Sequence, residues 1–373
     1  MYTFREKVKI VYFLIPFFSL ILLIVIYILL FWPTNILTPK NTPKDSISNI
    51  APSLPTLTPT PNPIPPSYLI PKRLHAFQTF NNCGPASLSM ALSYVGIVKT
   101  QQELGQILRP FQVAGGDNDD KSVTLLEVAR EAENQGAVAY LRPNGDMEKI
   151  KLFISSDIPV VARTWLGVSD DIGHYRLIRG YTETHIIQDD SLQGSDLTFT
   201  YGDFQKMWQP FNNEYLVIVE ESKKEIVEQI LGEDLNEEIG WKRALKTTER
   251  ELLNAPDNMH LIFAMSRINH KLGNYDKSVE YFNIIENKLP FRTLWYQIEP
   301  IEAIYETGDY ERLFSVTERV LNYYNRAFSE LYYLRGKAYK NQGKIEKAKD
   351  QFEKAAFYNI NNKEFRIALG NSE

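Results

Sequence analysis

The sequence predicts an α+β domain followed by an all-α helical-repeat domain, with a transmembrane helix in front of both. Three observations lead to this prediction: helices followed by strands over residues 72–220, equally spaced glycines within 223–373, and an uncharged apolar run over 10–32. With 373 residues, the chain exceeds the roughly 250–300 residues at which single cores stop growing. We therefore expect two separate cores.

The N-terminal apolar run predicts a membrane anchor. Ile10 to Trp32 is 23 residues without a charge, enough to cross a hydrocarbon core of about 30 Å. Arg5, Lys7 and Lys9 precede it, which predicts a cytoplasmic tail of residues 1–9 and an extracytoplasmic remainder. A cleaved signal peptide is the alternative, but the run is longer than a typical signal core and no small-residue cleavage site follows.

The segment 33–71 predicts a stalk. It holds 11 of the 20 prolines, among Thr, Ser and Asn. Such a composition favours an extended polyproline-like chain that separates a domain from the membrane.

Residues 72–220 have a mixed pattern, with two helices before three short β-branched or aromatic runs. The predicted helices are 84–95 and 125–135, and the predicted strands are 159–164, 175–181 and 216–219.

Residues 223–373 are helical, charged and periodic. Gly273, Gly308 and Gly343 recur at intervals of 35 residues. The unit around Gly336, Ala338, Gly343, Ala348, Phe352 and Ala355 is the clearest. These units resemble tetratricopeptide repeats, in which helix pairs recur about every 34 residues. An irregular helical bundle is the alternative.

The overall charge disfavours nucleic acid as a partner. The net charge is −5 and the Lys and Arg residues are spread along the chain, so no basic surface is expected to hold a phosphate backbone. The acidic loop 115–121 lacks the spacing of an EF-hand. We expect no metal ion and no cofactor.

Cys83 is the one cysteine in the chain, so it forms no intramolecular disulfide and belongs to no cysteine-rich zinc site. Gly84 and Pro85 follow it and predict that a helix begins there. The unpaired amides and the dipole at a helix N-terminus stabilise a thiolate. A buried structural cysteine is the alternative, but Asn81 and Asn82 disfavour an apolar pocket.

A thiolate nucleophile needs a general base, and His174 is the best-positioned histidine. It begins the strand-like run to Tyr181, and a turn separates this run from a second one, 185–190. In a β-hairpin, the parity of the loop decides which acid shares the face of His174. An odd loop selects Asp190, which we favour, and an even loop selects Asp189. The chosen acid would orient the imidazole.

Gln78 lies five residues before Cys83. At this spacing its amide can stabilise the oxyanion of a tetrahedral intermediate, an effect of roughly 3–4 kcal/mol in comparable sites.

Taken together, Gln78 with Cys83-Gly-Pro-Ala, the Gly173-His-Tyr strand and Asp190-Ser191 resemble the papain-like, bacteriocin-processing (C39-like) cysteine peptidases. The resemblance covers about residues 74–219. It implies a papain-like α+β fold in which Cys83 is the nucleophile, His174 the base, Asp190 the orienting acid and Gln78 the oxyanion donor. The family has Asp-Pro where this chain has Asp190-Ser191, so the sequence departs from the family pattern directly after the third member.

We therefore expect a membrane-anchored, extracytoplasmic cysteine peptidase that hydrolyses peptide bonds of a peptide or protein substrate, with repeats that bind a protein partner. Transfer to an amine would share the same acyl-enzyme. A non-catalytic papain-like scaffold that binds proteins through its repeats is the alternative from another class.

Overall fold

The computed structural model describes residues 64–112, 123–290, 292–322 and 325–370. Residues 62–373 form one compact unit. The predicted cytoplasmic tail, the membrane anchor 10–32, most of the stalk and the loop 115–121 lie outside the described residues. Among the described helices, none is both long enough and apolar enough to cross a bilayer.

An antiparallel sheet of seven strands forms the centre of the N-terminal region. Six strands follow the order β2-β7-β3-β4-β5-β6, and β1 pairs with the C-terminal end of β4. All pairings are antiparallel. The strands are β1 (Tyr68–Leu69), β2 (Val138–Arg142), β3 (Val160–Trp165), β4 (Gly173–Tyr181), β5 (His185–Asp190), β6 (Gly194–Thr200) and β7 (Tyr215–Val219).

Helices cover both faces of this sheet. One face packs against α1 (Cys83–Ser93), α2 (Gln101–Leu108) and α3 (Leu125–Asn134). The other packs against α4 (Met147–Ser155), α5 (Tyr201–Trp208) and α6 (Lys224–Leu231). Every residue of β3, β4 and β7 is buried, as expected for strands covered on both faces.

The sequence predicted this α+β region correctly, and the strands and helices that it named lie within a few residues of the observed ones. It missed β2, β6, α2, α4 and α5. For α2 a local signal was present, because Thr100 and Glu103 form a reciprocal capping box.

The sheet region includes residues outside both predicted boundaries, 72 and 220. Tyr68 and Leu69, assigned to the stalk, pair with Tyr181 and Gly180 of β4. Helix α6, assigned to the repeats, packs Val227 and Leu231 into the sheet core. At the C-terminal end, burial removes the side chains of Val227 and Leu231 from water. At the N-terminal end, β1 is held by its strand pairing with β4.

The C-terminal region consists of stacked helix pairs. The pairs are α8 (Met259–Lys271) with α9 (Tyr275–Ile285), α11 (Glu299–Glu306) with α12 (Tyr310–Asn322), and α13 (Ser329–Asn341) with α14 (Ile345–Tyr358). A long helix α7 (Glu237–Asn254) precedes them, the short helix α10 (Thr293–Tyr296) lies between the first two pairs, and α15 (Lys363–Gly370) closes the array.

The three equally spaced glycines end the first helix of each pair. Gly273, Gly308 and Gly343 have φ of +75°, +78° and +72°, a left-handed conformation that favours glycine. At the last of these turns, Lys344 N–H bonds back to the Tyr339 carbonyl at 2.9 Å. The 35-residue period therefore reflects one repeated backbone turn.

An internal ion cluster joins the repeats to the sheet region. Arg267 of α8 is 3% exposed and donates to Asn212 Oδ1 at 2.6 Å, Glu214 Oε2 at 3.1 Å and Glu299 Oε1 at 2.6 Å. Burial opposes the ionisation of Glu299, but the charge of Arg267 outweighs it and holds the pKa of Glu299 far below its usual value.

The repeats also contact the sheet region at their other end. Asn361 donates to the carbonyls of Gln106 and Ile107 at the end of α2, both at 3.0 Å. Phe111 packs against Phe357 and Tyr358 of α14. The repeat array is therefore fixed to the sheet region at two places.

Prediction for the repeat packing. A methyl group on Gly336 of α13 would lie 2.5 Å from the buried Phe352 ring. Gly336→Ala is therefore expected to lower the free energy of unfolding by about 1–2 kcal/mol, the cost of overpacking less the gain in helix propensity. Gly370→Ala, with open space around its Cβ, is the control and should not destabilise. Equal thermal unfolding curves for the two variants would contradict the packing argument.

Candidate functional site

Cys83 is the first residue of α1, so its thiol lies at the positive end of the helix dipole. The side chain is 7% exposed. Gly84 lies close to Val123, because a Cβ on Gly84 would be 3.3 Å from the Val123 Cβ, and the ring of Tyr175 packs beside it. The backbone N–H of Tyr175 donates a hydrogen bond to the sulfur.

The loop before Cys83 is held by buried side chains. Asn82 is 1% exposed; its Oδ1 accepts from Arg109 Nη1 at 2.6 Å, and its Nδ2 donates to Thr79 Oγ1 at 2.9 Å. Gln101 accepts from Thr79 N at 2.9 Å and donates to the Phe77 carbonyl. These bonds fix the position from which α1 begins.

His174 is the second residue of β4, next to the open end of the hairpin. Strand β5 pairs with β4 only from Arg176 onward. On that side of β4, the backbone of His174 and Tyr175 therefore has no neighbouring strand. The Cys83 thiol lies close enough to the His174 imidazole for a side-chain hydrogen bond between them to shift both pKa values. Nε2 of His174 bonds to Asp190 Oδ1, so Nδ1 is the ring nitrogen that can bond to the thiol.

Asp190 ends β5 and faces His174. Its Oδ1 accepts from His174 Nε2 at 2.8 Å and from the backbone N–H groups of Leu192 and Gln193 at 2.7 and 2.9 Å. Its Oδ2 lies 3.2 Å from Arg176 Nε. The carboxylate is 0% exposed, so these partners replace the water that it loses.

A β-bulge decides that Asp190, and not Asp189, faces His174. Near the turn Tyr181 pairs with Ile186, and this register would bring Asp189 to the face of His174. The register shifts between Ile178 and Gly180, after which Arg176 pairs with Asp190. The loop-parity argument therefore favoured Asp190, which is the acid that faces His174. The reason differs, however, because the bulge in β4 and not the loop sets this register.

Asp189 points to the other face of β5. Its Oδ2 accepts from Arg179 Nε at 2.8 Å, and its Oδ1 accepts from the Asp196 N–H at 3.0 Å. Asp189 is thus paired on its own face and makes no contact with the imidazole.

The three ionisable groups shift one another's pKa. Burial raises the pKa of Cys83, but the hydrogen bond and charge of His174, helped by Tyr175 N–H and Arg163, outweigh it and lower the pKa below that of an ordinary thiol. Burial lowers the pKa of His174, but Asp190 and Cys83 outweigh it, so the pKa is raised. Burial likewise raises the pKa of Asp190, yet His174 and Arg176 hold it below its usual value. The arrangement favours a thiolate–imidazolium pair.

The sequence analysis missed two buried arginines beside this site. Arg176 donates to the Trp165 and Leu166 carbonyls at 2.8 and 2.7 Å and so anchors the cation that faces Asp190. Arg163 is 4% exposed and its guanidinium lies over the rings of Tyr175 and Tyr296. The sequence showed only that each of these arginines lies within a strand-like run.

A residue of the repeats forms part of the wall of the site. The Tyr296 carbonyl accepts from Arg163 Nη1 at 3.0 Å. The Tyr296 hydroxyl accepts from the N–H of Gly173, the residue before His174. A Cβ on Gly173 would lie 3.0 Å from the Tyr296 ring. No pattern in the sequence connected α10 with this strand.

Gln78 lies in the loop before Cys83, half-buried. Its backbone N–H donates to the Ser191 carbonyl at 2.8 Å, and its Oε1 accepts from Ser191 Oγ at 2.8 Å. His75 hydrogen-bonds through Nε2 to the Asp190 carbonyl at 3.1 Å. The fold thus joins this loop to the turn after Asp190.

Within the described ranges, His, Cys, Asp and Glu side chains form no group of three or more able to hold a metal ion. The site brings together a buried thiol, an imidazole and a carboxylate.

Two protein-family models match the chain. Residues 69–216 match the Peptidase_C39 like family, and residues 329–356 match the Tetratricopeptide repeat. Both resemblances expected from the sequence are confirmed by these matches. The comparison with curated proteins finds no significant match.

Solved structures resemble the two regions separately. A chain described as a C39-like peptidase from Bacillus anthracis is 15% identical with a TM-score of 0.35, over 41% of this chain and 98% of its own. The peptidase domain of Streptococcus ComA is 17% identical with a TM-score of 0.32, over 39% and 97%. A tetratricopeptide-repeat protein from Thermus thermophilus is 23% identical with a TM-score of 0.30, over 38% and 77%.

Prediction for the thiol. Since the pKa of Cys83 is lowered, iodoacetamide should alkylate Cys83 at pH 6, where an ordinary thiol with a pKa of about 8.5 is almost fully protonated. His174→Ala removes the hydrogen bond and the charge, so the pKa should rise and the rate at pH 6 should fall at least about tenfold. At pH 10 the two rates should converge. A ratio that stays constant across this pH range would refute the thiolate–imidazolium pair.

Prediction for the acid. Asp190→Asn should weaken the hold on the imidazole and lower alkylation of Cys83 at pH 6 by roughly tenfold, the effect of about one pKa unit. Asp189→Asn is the matched control, because it removes an equally buried carboxylate from the opposite face. Asp189→Asn should lower the thermal unfolding temperature yet leave the alkylation rate near that of the unchanged protein. If the two variants exchange these effects, the assignment of Asp190 fails.

Proposed function

We propose that the Peptidase_C39-like region, residues 69–216, works as a cysteine peptidase domain with Cys83 as nucleophile, His174 as general base and Asp190 as orienting acid. The single observation that carries this proposal is the imidazole of His174, which bonds to the Cys83 thiol on one side and to Asp190 Oδ1 at 2.8 Å on the other. A cysteine with a purely structural role does not require a basic partner that is itself oriented by a carboxylate.

The proposed reaction is acyl transfer to the thiol followed by hydrolysis. The Cys83 sulfur bonds to the scissile carbonyl carbon, and the π pair moves to oxygen. As the C=O bond re-forms, the C–N bond breaks and the amine leaves with the proton from His174. Water then attacks the thioester while His174 takes its proton, and the C–S bond breaks to release the acid and the thiolate.

Two features of the site support this chemistry. The N-terminus of α1 and the buried Arg163 favour negative charge at the sulfur. Asp190 keeps Nε2 occupied, which directs Nδ1 of His174 toward the thiol and fixes the ring in that orientation.

The repeats are proposed to recruit a protein substrate or a partner, since helix-pair arrays of this kind offer extended binding surfaces. The apolar run 10–32 is proposed to anchor the chain in a membrane, with the peptidase-like region and the repeats on the extracytoplasmic side.

A non-catalytic protein-binding role is the second candidate. It is favoured by the small exposure of the site, because Cys83 is 7% exposed and His174 is 2% exposed. In that role the peptidase-like region would hold a peptide, and the repeats would form the working surface.

Prediction for the substrate reaction. Exported proteins from cells that carry the intact chain should contain terminal peptides that disappear in Cys83→Ala and in His174→Ala cells, as measured by terminal-peptide mass spectrometry. Ser87→Ala is a matched control, because it changes a buried side chain of the same helix and should leave those peptides present. Ends joined to a new amine would indicate transfer instead of hydrolysis. Identical terminal peptides in all these cells would favour the non-catalytic role.

A further inference from the structure

The turn after β5 holds the Gln78 amide by two hydrogen bonds. The Ser191 hydroxyl donates to Gln78 Oε1 at 2.8 Å, and the Ser191 carbonyl accepts from Gln78 N at 2.8 Å. Ser191 is 1% exposed, so its hydroxyl and carbonyl have little access to water. One residue therefore fixes both the backbone and the side-chain end of Gln78.

The two ends of the Gln78 side-chain amide have different roles, so it matters that Ser191 bonds to Oε1. A side-chain amide has an accepting oxygen and a donating nitrogen, and an oxyanion needs the nitrogen. Because a hydroxyl donates to Oε1, the amide is fixed with Nε2 as its free donating end. A donor oriented before the reaction stabilises the developing charge without a reorganisation cost, and a hydroxyl on the carbonyl also polarises the N–H group.

The same turn supports the acid. Leu192 and Gln193 donate their N–H groups to Asp190 Oδ1, and Asp190 is the residue before Ser191. Residues 190–193 thus contact both the carboxylate that orients His174 and the amide of Gln78, which precedes Cys83 in the sequence. A proline after the aspartate, as in the family pattern, would keep the carbonyl but supply no hydroxyl.

We propose that Ser191 is a positioning residue that holds the Gln78 amide with its nitrogen toward the oxyanion. This inference rests on the proposed peptidase function, with Gln78 as its oxyanion donor. Ser191 acts through Gln78 and not on the substrate.

Two reagents separate this role from the general reactivity of the thiol. Acylation by p-nitrophenyl acetate forms the S–C bond at a carbonyl carbon, passes through an oxyanion and expels p-nitrophenolate. Alkylation by iodoacetamide forms the S–C bond at a saturated carbon and expels iodide, with no oxyanion. A residue that positions the oxyanion donor should affect the first reaction and not the second.

The test measures both rates on the full chain at one pH. Ser191→Ala should lower the acylation rate by about tenfold, since the donor is loosened but present, and Gln78→Ala should lower it by about a hundredfold, as for other oxyanion donors. Iodoacetamide rates should stay within about twofold in both. The double variant should acylate no more slowly than Gln78→Ala alone, because the two residues act as one unit.

Two further variants guard against a purely structural effect. Ser191→Thr keeps the hydroxyl and should recover at least half of the lost acylation rate. Ser266→Ala removes a buried hydroxyl that donates to the Ser278 carbonyl in the repeats at 2.7 Å, and it should leave both rates unchanged even if the unfolding temperature falls.

The outcomes distinguish the two proposals. An unchanged acylation rate in Ser191→Ala, an equal loss with both reagents, or a further loss in the double variant would overturn the role of Ser191. If Cys83→Ala still releases p-nitrophenolate at the original rate, or His174→Ala changes neither rate, the proposed function itself fails.

Discussion

The hydrogen bond between His174 and Asp190 is the interaction on which the site depends. It lies in the interior, where an ionised carboxylate is costly unless polar groups replace its water. Two backbone N–H groups and Arg176 share that task with the imidazole. Because the acid is held by the turn and the arginine, it can orient the imidazole instead of merely pairing with it.

The register of one hairpin determines which groups can meet. A bulge between Ile178 and Gly180 shifts β4 against β5 by one residue, and a shift of one residue turns each side chain to the other face. Asp190 therefore reaches His174, while Asp189 pairs with Arg179 behind the sheet. The two adjacent acids share one strand but have unrelated surroundings.

The repeats and the peptidase-like region form one unit and not two tethered domains. Domains joined by small polar interfaces usually move relative to each other. Here the cation of Arg267 is buried between the two regions, and removal of one partner of such a cluster leaves a buried charge unpaired. Tyr296 also contacts the residue before His174. The geometry of the site therefore depends in part on the docking of the repeats.

By itself, the sequence determined the α+β region, the repeat period and the helix that begins at Cys83. These features are local, since they follow from turn residues, strand patterns and one glycine at each repeat. Only the tertiary structure decided between Asp189 and Asp190, and only it brought Ser191 to Gln78 and Tyr296 to Arg163. These contacts join residues far apart in the chain, or depend on a bulge, and no local pattern encodes such a register.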